Sequence, residues 1–198
     1  MEPRAFTPVT IDAPIRTERL ILRPMTLDDV DDIHAYQSLD EVCRYLLFEP
    51  RSRETVAEKV AFYSTATTLE KDGDFLQLAL ELPASADAPA RVIGDSYFSV
   101  KSVANLGGEI GWTMHPDFTG RGYAAEAASA VLDFAFTTLG LHRVAADLDP
   151  RNDASIALCR RLGMREEAHF VEDLAFRGEW ADTGIYAILD REWAARVR

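Results

Sequence analysis

The stretch FTGRGYAAE, residues 118–126, decides how this chain is interpreted. It follows an apparent strand at residues 109–114 and opens a run of helical character that continues to Gly140. Gly120 and Gly122 allow the backbone to turn tightly and to approach a ligand closely. The helix behind them directs free N–H groups and its positive dipole end to the same place. Strand, glycine turn and helix N-terminus together predict an anion site, usually for phosphate, although a lone Gly-x-Gly also occurs in ordinary tight turns.

The composition indicates one globular domain with an acidic surface. The chain has 198 residues, 47% of them hydrophobic, which is enough for a substantial core. Its formal net charge of −12 repels a phosphate backbone, so we expect no direct nucleic-acid binding and favour amine or cationic partners. Cys43 and Cys159 supply no disulfide framework, which fits a reducing cytoplasm. No apolar run approaches the length of a membrane-spanning helix, so no membrane contact is expected.

Residues 1–14 differ from the rest of the chain. They contain Pro3, Pro8 and Pro14 and no apolar core, which predicts an extended N-terminal arm rather than a signal peptide. Residues 15–198 contain no repeat, low-complexity tract or linker. We therefore expect them to form a single domain.

Hydrophobic periodicity predicts the order of elements in that domain. The predicted strands are residues 18–23, 75–82, 91–101, 109–114, 144–148, 166–176 and 183–189. The predicted helices are residues 26–37, 53–69, 122–139 and 153–162. Thr26 and Asp29 predict a capping box at the start of the first helix. Only the segment from residue 109 to residue 148 forms a clear strand–helix–strand crossover. The prediction is a mixed α/β protein with a mostly antiparallel sheet, not a doubly wound nucleotide fold.

This order, together with Gly120-Arg121-Gly122-Tyr123-Ala124, resembles the GNAT N-acetyltransferases. The further motifs resemble the RimJ/RimL-type branch, whose named members acetylate the N-termini of ribosomal proteins. These motifs are RTERLILRP at residues 16–24, EIGW at 109–112, NDAS at 152–155, LGM at 162–164, Asp182, YA at 186–187 and EW at 192–193. The resemblance spans roughly residues 15–193. It implies the GNAT fold, a mixed, mostly antiparallel twisted sheet flanked by helices.

In the resembled family the glycine loop binds the pyrophosphate of acetyl-CoA, the cosubstrate. The residues that the resemblance implies for acetyl-CoA are Trp112, Thr113, Met114, Gly120, Arg121, Gly122, Tyr123, Ala124 and Asn152. Backbone N–H groups near residues 112–114 are also expected to stabilise the oxyanion. Asn152 is equally a good helix N-cap, and the two roles are compatible. The Arg or Gln that often begins the loop is Thr119 here, which removes one side-chain contact and leaves the backbone cradle.

Catalytic roles are implied for Glu109, Ser155 and Cys159, with no metal. Glu109 stands where relatives often carry a strand carboxylate near the acceptor amine; the alternative is an exposed sheet residue paired with a basic neighbour. Ser155 and Cys159 share one helix face with Asn152. Cys159 replaces the tyrosine that many relatives use as general acid. A thiol of reference pKa about 8.5 can donate to a CoA thiolate, whereas a buried cysteine is usually packing. His115 is a second candidate base or a structural residue.

The resemblance implies direct attack of an amine on acetyl-CoA through a tetrahedral intermediate. Deprotonating a lysine of pKa about 10.4 at neutral pH costs about 4–5 kcal/mol, whereas an α-amine of pKa about 7.7–8.0 costs about 1–1.5 kcal/mol. We therefore expect a protein or peptide N-terminal α-amine as acceptor. The alternatives are a small-molecule amine acetyltransferase and a non-catalytic acyl-CoA-binding sensor. The acidic residues between 28 and 41 form either a solvated helix face or a rim that attracts cations. A homodimer is left open.

Overall fold

The computed structural model describes residues 5–196 and has a mixed α/β fold. The strands are β1 (Val9–Thr10), β2 (Ile15–Arg16), β3 (Ile21–Pro24), β4 (Thr68–Leu69), β5 (Phe75–Leu82), β6 (Arg91–Ser102), β7 (Gly107–Met114), β8 (Arg143–Leu148), β9 (Arg165–Phe176) and β10 (Glu179–Leu189). The helices are α1 (Val30–Gln37), α2 (Asp40–Cys43), α3 (Arg53–Tyr63), α4 (Tyr123–Asp133), α5 (Asp153–Leu162) and α6 (Asp190–Arg196).

Eight strands form one sheet in the order β2-β3-β5-β6-β7-β8-β10-β9. Within the described residues, its neighbouring strands are antiparallel except β7 and β8, which are parallel and joined by α4. This arrangement confirms the predicted fold class. The predicted bounds of β5 and α5 agree with the structure, since both segments have clear periodicity and clear end signals.

Apolar side chains on the two faces of the sheet form separate clusters. On one face, Leu78 and Leu80 of β5 pack in the large cluster that includes α4 residues such as Val131. On the other face, Ala79 packs with α1 and α3, for example against Val56. The alternation of neighbours along β5 follows from the two-residue period of a strand. The sheet is therefore covered by helices on both faces.

The pairing of β7 with β8 is short, and this opens the sheet. The two strands are in register only over residues 107–109 and 143–145. Beyond Glu109, β7 continues to Met114 with β6 as its only strand partner in the described chain. Beyond Ala145, β8 continues with β10, and Asp147 pairs with Ile185. A gap in the sheet therefore lies between the ends of two neighbouring parallel strands.

Several predicted elements end differently in the structure. The helix predicted at residues 53–69 ends at Tyr63, because Thr65 donates its hydroxyl to the Phe62 carbonyl and the threonine-rich segment that follows becomes extended as β4. The helix predicted at residues 122–139 is α-helical to Asp133 and then π-helical over Phe134–Thr138. The short helices α2 and α6 were not predicted, since they contain too few turns for a periodic signal.

The beginning of the first predicted helix and the N-terminal arm have local contacts. The Asp29 carboxylate accepts a hydrogen bond from the Thr26 backbone N–H at 2.7 Å, which is one contact of the predicted capping box. A short 3-10 turn over Leu27–Asp29 precedes α1.

In the described part of the arm, β1 pairs antiparallel with β4, and Ile11 is buried. Residues 1–4 of the predicted arm lie outside the described residues.

Candidate active site

A cavity of about 480 Å³ lies between the end of β7, the glycine loop and the start of α5. The predicted site residues on its wall are Trp112, Thr113, Met114, Gly120, Gly122, Tyr123, Ala124, Asn152 and Ser155. Three other predicted residues, Arg121, Glu109 and Cys159, do not contribute to this wall. The structure therefore brings most of the predicted cofactor residues and one predicted catalytic residue to one cavity.

The glycine loop forms a cradle of unpaired backbone donors. Gly120 and Gly122 have φ angles of 72° and 84°, in the region that favours glycine. Within residues 5–196, the N–H groups of Gly120, Arg121 and Gly122 form no hydrogen bond. A Cβ added at Gly120 would meet nothing within 4 Å, so the space outside the loop is open. Free donors at the start of α4 fit the pyrophosphate of acetyl-CoA.

Arg19 braces this loop from a distant part of the chain. Its Nε donates to Glu126 Oε2 at 2.6 Å, its Nη1 donates to the Arg121 carbonyl at 3.0 Å, and its guanidinium lies 4.5 Å from the Tyr123 ring centroid. Burial alone raises the pKa of Glu126, but hydrogen bonds from Thr17 and Arg19 outweigh it and hold the pKa below its ordinary value. Arg19 was quoted in a sequence motif but not predicted as a site residue, and no local pattern links it to Glu126.

Asn152 and Ser155 connect α5 to the end of β7. The Asn152 Oδ1 accepts the Ser155 backbone N–H at 3.1 Å, so Asn152 is the N-cap of α5. Its side-chain nitrogen has no hydrogen-bond partner in the described chain and is free to contact the pantetheine arm. The Ser155 Oγ accepts from Trp112 Nε1 at 3.3 Å. The Ser155 hydroxyl proton is therefore available toward the cavity.

Cys159 lies on the same helix face but deeper in the core. It is fully buried, and this burial raises the pKa of its thiol to about 12. A thiol with that pKa gives its proton to a CoA thiolate less readily than one at the reference value of about 8.5. Its position is that of a packing residue, and its predicted role as an acid stays a prediction.

Glu109 and His115 both have close local partners. The Glu109 Oε2 lies 2.8 Å from Lys101 Nζ, which is the pairing with a basic neighbour foreseen as the alternative to catalysis. The His115 Nδ1 accepts the Asp117 N–H at 3.2 Å and caps the 3-10 turn that follows β7. The His115 ring also contacts Tyr36 edge to face. These contacts agree with a structural role for His115.

Three acidic residues of the first helix region make structural contacts, whereas Glu41 lines the first cavity. Asp29 is buried against Arg23 at 2.7 Å, and Asp31 forms an exposed ion pair with Arg53 at 2.7 Å. The Asp32 carboxylate accepts the Val92 N–H at 2.7 Å. These three aspartates hold α1 against neighbouring elements, so they fit a structural and solvated face better than a free rim.

A second cavity of about 390 Å³ lies beside the first. Its wall is formed by residues 44–47 after α2, by the end of β8 and by the β9–β10 hairpin. Tyr45 and Leu46 belong to the walls of both cavities. The end of β7 contributes to the first cavity, whereas Asp147 and Leu148 of β8 contribute to the second. The two strands that separate at the gap therefore contribute to the walls of different cavities.

The part of the chain that the structure describes contains neither a candidate membrane-spanning helix nor a candidate metal-binding cluster. Within residues 5–196, no helix has both the length and the apolar character needed to cross a bilayer. The same residues contain no cluster of three or more His, Cys, Asp or Glu side chains arranged to hold a metal ion.

Comparison with known proteins agrees with this geometry. The family described as "Acetyltransferase (GNAT) domain" matches residues 19–165. The uncharacterized N-acetyltransferase YnaD of Bacillus subtilis is 31% identical over 179 residues, covering 90% of this chain and 98% of that protein. The crystal structure of a GNAT-family acetyltransferase from Bacillus anthracis has a TM-score of 0.78 and 28% identity, and covers 90% of this chain and 99% of that chain.

A more distant structure shows likeness of fold alone. RimL, a ribosomal L7/L12 alpha-N-protein acetyltransferase in complex with coenzyme A, has a TM-score of 0.74 at 16% identity, covering 89% of this chain and 98% of that chain.

The match to the family over residues 19–165 shows that the chain belongs to the GNAT acetyltransferase family. It is an acetyl-CoA-dependent N-acetyltransferase, and enzymes of this family act on amine acceptors. The RimJ/RimL branch within the family stays a prediction.

Proposed function

We propose that this enzyme transfers the acetyl group of acetyl-CoA to a protein or peptide N-terminal α-amine. The observation that carries the proposal is the cavity that runs from the free N–H groups at Gly120–Gly122 to the gap between β7 and β8. It offers an anion cradle at one end and an opening in the sheet at the other. The lower cost of deprotonating an α-amine, about 1–1.5 kcal/mol, favours it over lysine.

The chain supplies a role for each part of the cosubstrate. The N–H groups of Gly120, Arg121, Gly122, Tyr123 and Ala124 bind the pyrophosphate. The free amide of Asn152 contacts the pantetheine arm. Because β8 does not pair with β7 beyond Glu109, the backbone donors of residues 112–114 that point to the gap have no strand partner within residues 5–196. These donors hold the oxyanion of the tetrahedral intermediate, where preorganised dipoles have their largest effect.

We assign proton donation to the departing thiolate to Ser155 rather than to Cys159. Ser155 lies on the cavity wall and its hydroxyl accepts from Trp112, which leaves its proton free. Cys159 lies behind that wall and is fully buried. Glu109 was predicted to be catalytic near the acceptor amine; because it forms an ion pair with Lys101, we propose that it influences the charge near the gap.

The experiment is release of CoA measured over an amine panel. The panel contains peptides with free N-termini, the same peptides with blocked N-termini, and small amines such as polyamines and aminoglycosides. We expect free N-termini to be acetylated and blocked ones not. Turnover with small amines alone would favour the small-molecule alternative. Binding of acetyl-CoA by calorimetry with no turnover on any amine would identify a sensor instead.

A further inference from the structure

The wall of the second cavity includes Asp147, a carboxylate near the end of β8. Asp147 lies two residues beyond Ala145, the β8 residue that is in register with Glu109. Side chains two residues apart project from the same face of a strand, so Asp147 and Glu109 share a face, about 6.6 Å apart along the strand direction at about 3.3 Å per residue. Within the described residues, Asp147 forms no hydrogen bond or ion pair.

Two of the three other acids on the same wall are already engaged, and the third, Glu179, lies at the start of β10, away from the residues that pair with β8. The Asp149 carboxylate binds Arg151 at 2.6 Å, and the Asp182 carboxylate lies 2.7 Å from His169 Nε2. Asp147 is exposed to the cavity, and it lies just past the point where β7 and β8 separate. Asp147 is therefore the carboxylate of the second cavity that lies next to the gap and can still accept a hydrogen bond from a ligand.

We propose that Asp147 binds the ammonium group of the acceptor in the second cavity and accepts its proton. This inference rests on the proposed acetyl transfer. The acceptor R–NH₃⁺ gives one proton to Asp147 and becomes R–NH₂. Its nitrogen then forms the C–N bond to the acetyl carbon, which gives the tetrahedral intermediate, and the C–S bond to CoA breaks when that intermediate collapses. A second amine proton ends on the CoA sulfur by way of Ser155, the third stays on the amide, and Asp147 returns its proton to solvent.

The surroundings of Asp147 suit a base. Burial, and then the negative charge of Glu109, raise the pKa of Asp147, while Lys101 and Arg143 oppose them. A carboxylate with a raised pKa is closer in basicity to the amine whose proton it receives, which favours the transfer. The charged groups around Asp147 are Lys101 on β6, Glu109 on β7, Arg143 on β8 and the charged residues of the cavity wall, which are Arg44, Asp149, Arg151, Arg177, Glu179 and Asp182.

The same cavity indicates the chemical class of the acceptor. Leu47 and Trp180 are 67% and 64% exposed, although both are large and apolar, and both line this cavity. An apolar group next to the amine would cover them and gain from leaving water. Two of the four carboxylates on the wall, Asp149 and Asp182, are already paired with Arg151 and His169, which leaves fewer for the several ammonium groups of a polyamine. We therefore infer an acceptor whose amine adjoins an apolar side chain, such as a peptide beginning with leucine.

The first test compares Asp147→Asn with Glu109→Gln, using a peptide that begins with leucine. We expect Asp147→Asn to lower kcat/KM at pH 7 about tenfold or more and to leave acetyl-CoA affinity within twofold. At pH 9 the amine is largely neutral without help, so the deficit relative to wild type is expected to shrink below threefold. A structural defect would persist at both pH values. Glu58→Gln removes an exposed carboxylate of α3 that lines neither cavity and serves as the control, with activity within twofold of wild type.

Three results would overturn the inference. One is an Asp147→Asn enzyme within threefold of wild type at pH 7. Another is a deficit that does not change with pH. The third is loss of activity in Glu109→Gln but not in Asp147→Asn, which would make Glu109 the base. If Asp147→Asn does not fold, Asp147→Ser gives the same comparison. Failure of the wild type to release CoA with any amine would instead refute the proposed function.

The acceptor class has its own test. Trp180→Ala is expected to raise KM at least tenfold for a peptide that begins with leucine and less than twofold for the same peptide beginning with glycine. The wild type is expected to prefer the leucine peptide to spermidine. Equal effects of Trp180→Ala on both peptides, or preference for spermidine, would contradict an apolar group beside the amine.

Discussion

At Gly122 the backbone has a φ angle of 84°, and an added Cβ would lie 3.3 Å from Arg19 Nη2. Gly122→Asp places a carboxylate in the anion cradle, so we expect acetyl-CoA affinity measured by calorimetry to fall at least tenfold, about 1.4 kcal/mol. Gly178→Asp is the matched control. Gly178 has a φ angle of 77° and an added Cβ there meets nothing within 4 Å, so it reports the backbone strain alone. Equal acetyl-CoA affinity in the two variants would show that the glycine loop is not part of the cosubstrate site.

Ser155 and Cys159 share a helix face, and their different burial separates their expected roles. Ser155→Ala removes the proposed donor and is expected to lower kcat about 10- to 100-fold with little change in acetyl-CoA affinity. Cys159→Ala leaves a small cavity and is expected to lower the free energy of unfolding by about 1–2 kcal/mol with kcat within twofold of wild type. Steady-state kinetics and thermal unfolding of both variants measure this. The reverse result would return the acid role to Cys159.

At the scale of elements, β3 is joined to the start of α1 by a buried ion pair. Asp29 accepts from Arg23 Nη1 and Nη2 at 2.8 and 2.7 Å and from the Thr26 N–H. Burial alone raises the pKa of Asp29, but these hydrogen bonds outweigh it and lower the pKa. The pair therefore adds stability above the unfolded pKa of about 3.9, and this stability is lost as the pH falls through the folded pKa.

Asp29→Asn tests the contribution of this pair. We expect the free energy of unfolding at pH 7 to fall by about 2–4 kcal/mol, because Arg23 loses a partly buried partner. The difference from wild type is expected to narrow as the pH falls below the unfolded pKa of about 3.9, because the unfolded carboxyl then binds a proton that the native carboxyl resists. Denaturant unfolding at pH 7 and pH 3 measures both effects. Asp31→Asn at the exposed Arg53 pair is the control and is expected to change little.

At the scale of the whole molecule, a net charge of −12 attracts cationic acceptors over a distance that salt shortens. Screening acts within about 8–10 Å at physiological ionic strength. We expect kcat/KM for a lysine-rich peptide to fall as salt rises from 20 to 300 mM while kcat stays nearly level. A peptide of zero net charge is the control. An equal salt response for the two peptides would show that the acidic surface is solvated and does not attract the acceptor.

The sequence by itself determined the order of elements, the glycine loop and the family. Each of these depends on signals within a few residues: alternation in β5, the asparagine cap and glycine end of α5, and two glycines before α4. Where local signals were weak, as at the end of α3, the predicted bound was wrong. Threonines there favour an extended chain, and the pairing with β1 decides the outcome.

Only the tertiary structure decided which side chains meet at the site. Arg19 and Glu126 are 107 positions apart in the chain, yet they hold the glycine loop together. The catalytic role of Glu109 stays a prediction, and the β6–β7 register gives this residue Lys101 as a partner, while Asp147 beside the gap forms no ion pair within residues 5–196. Periodicity specifies which face a residue occupies within its own element. It does not specify strand order, register or depth of burial, because these depend on how distant elements pack.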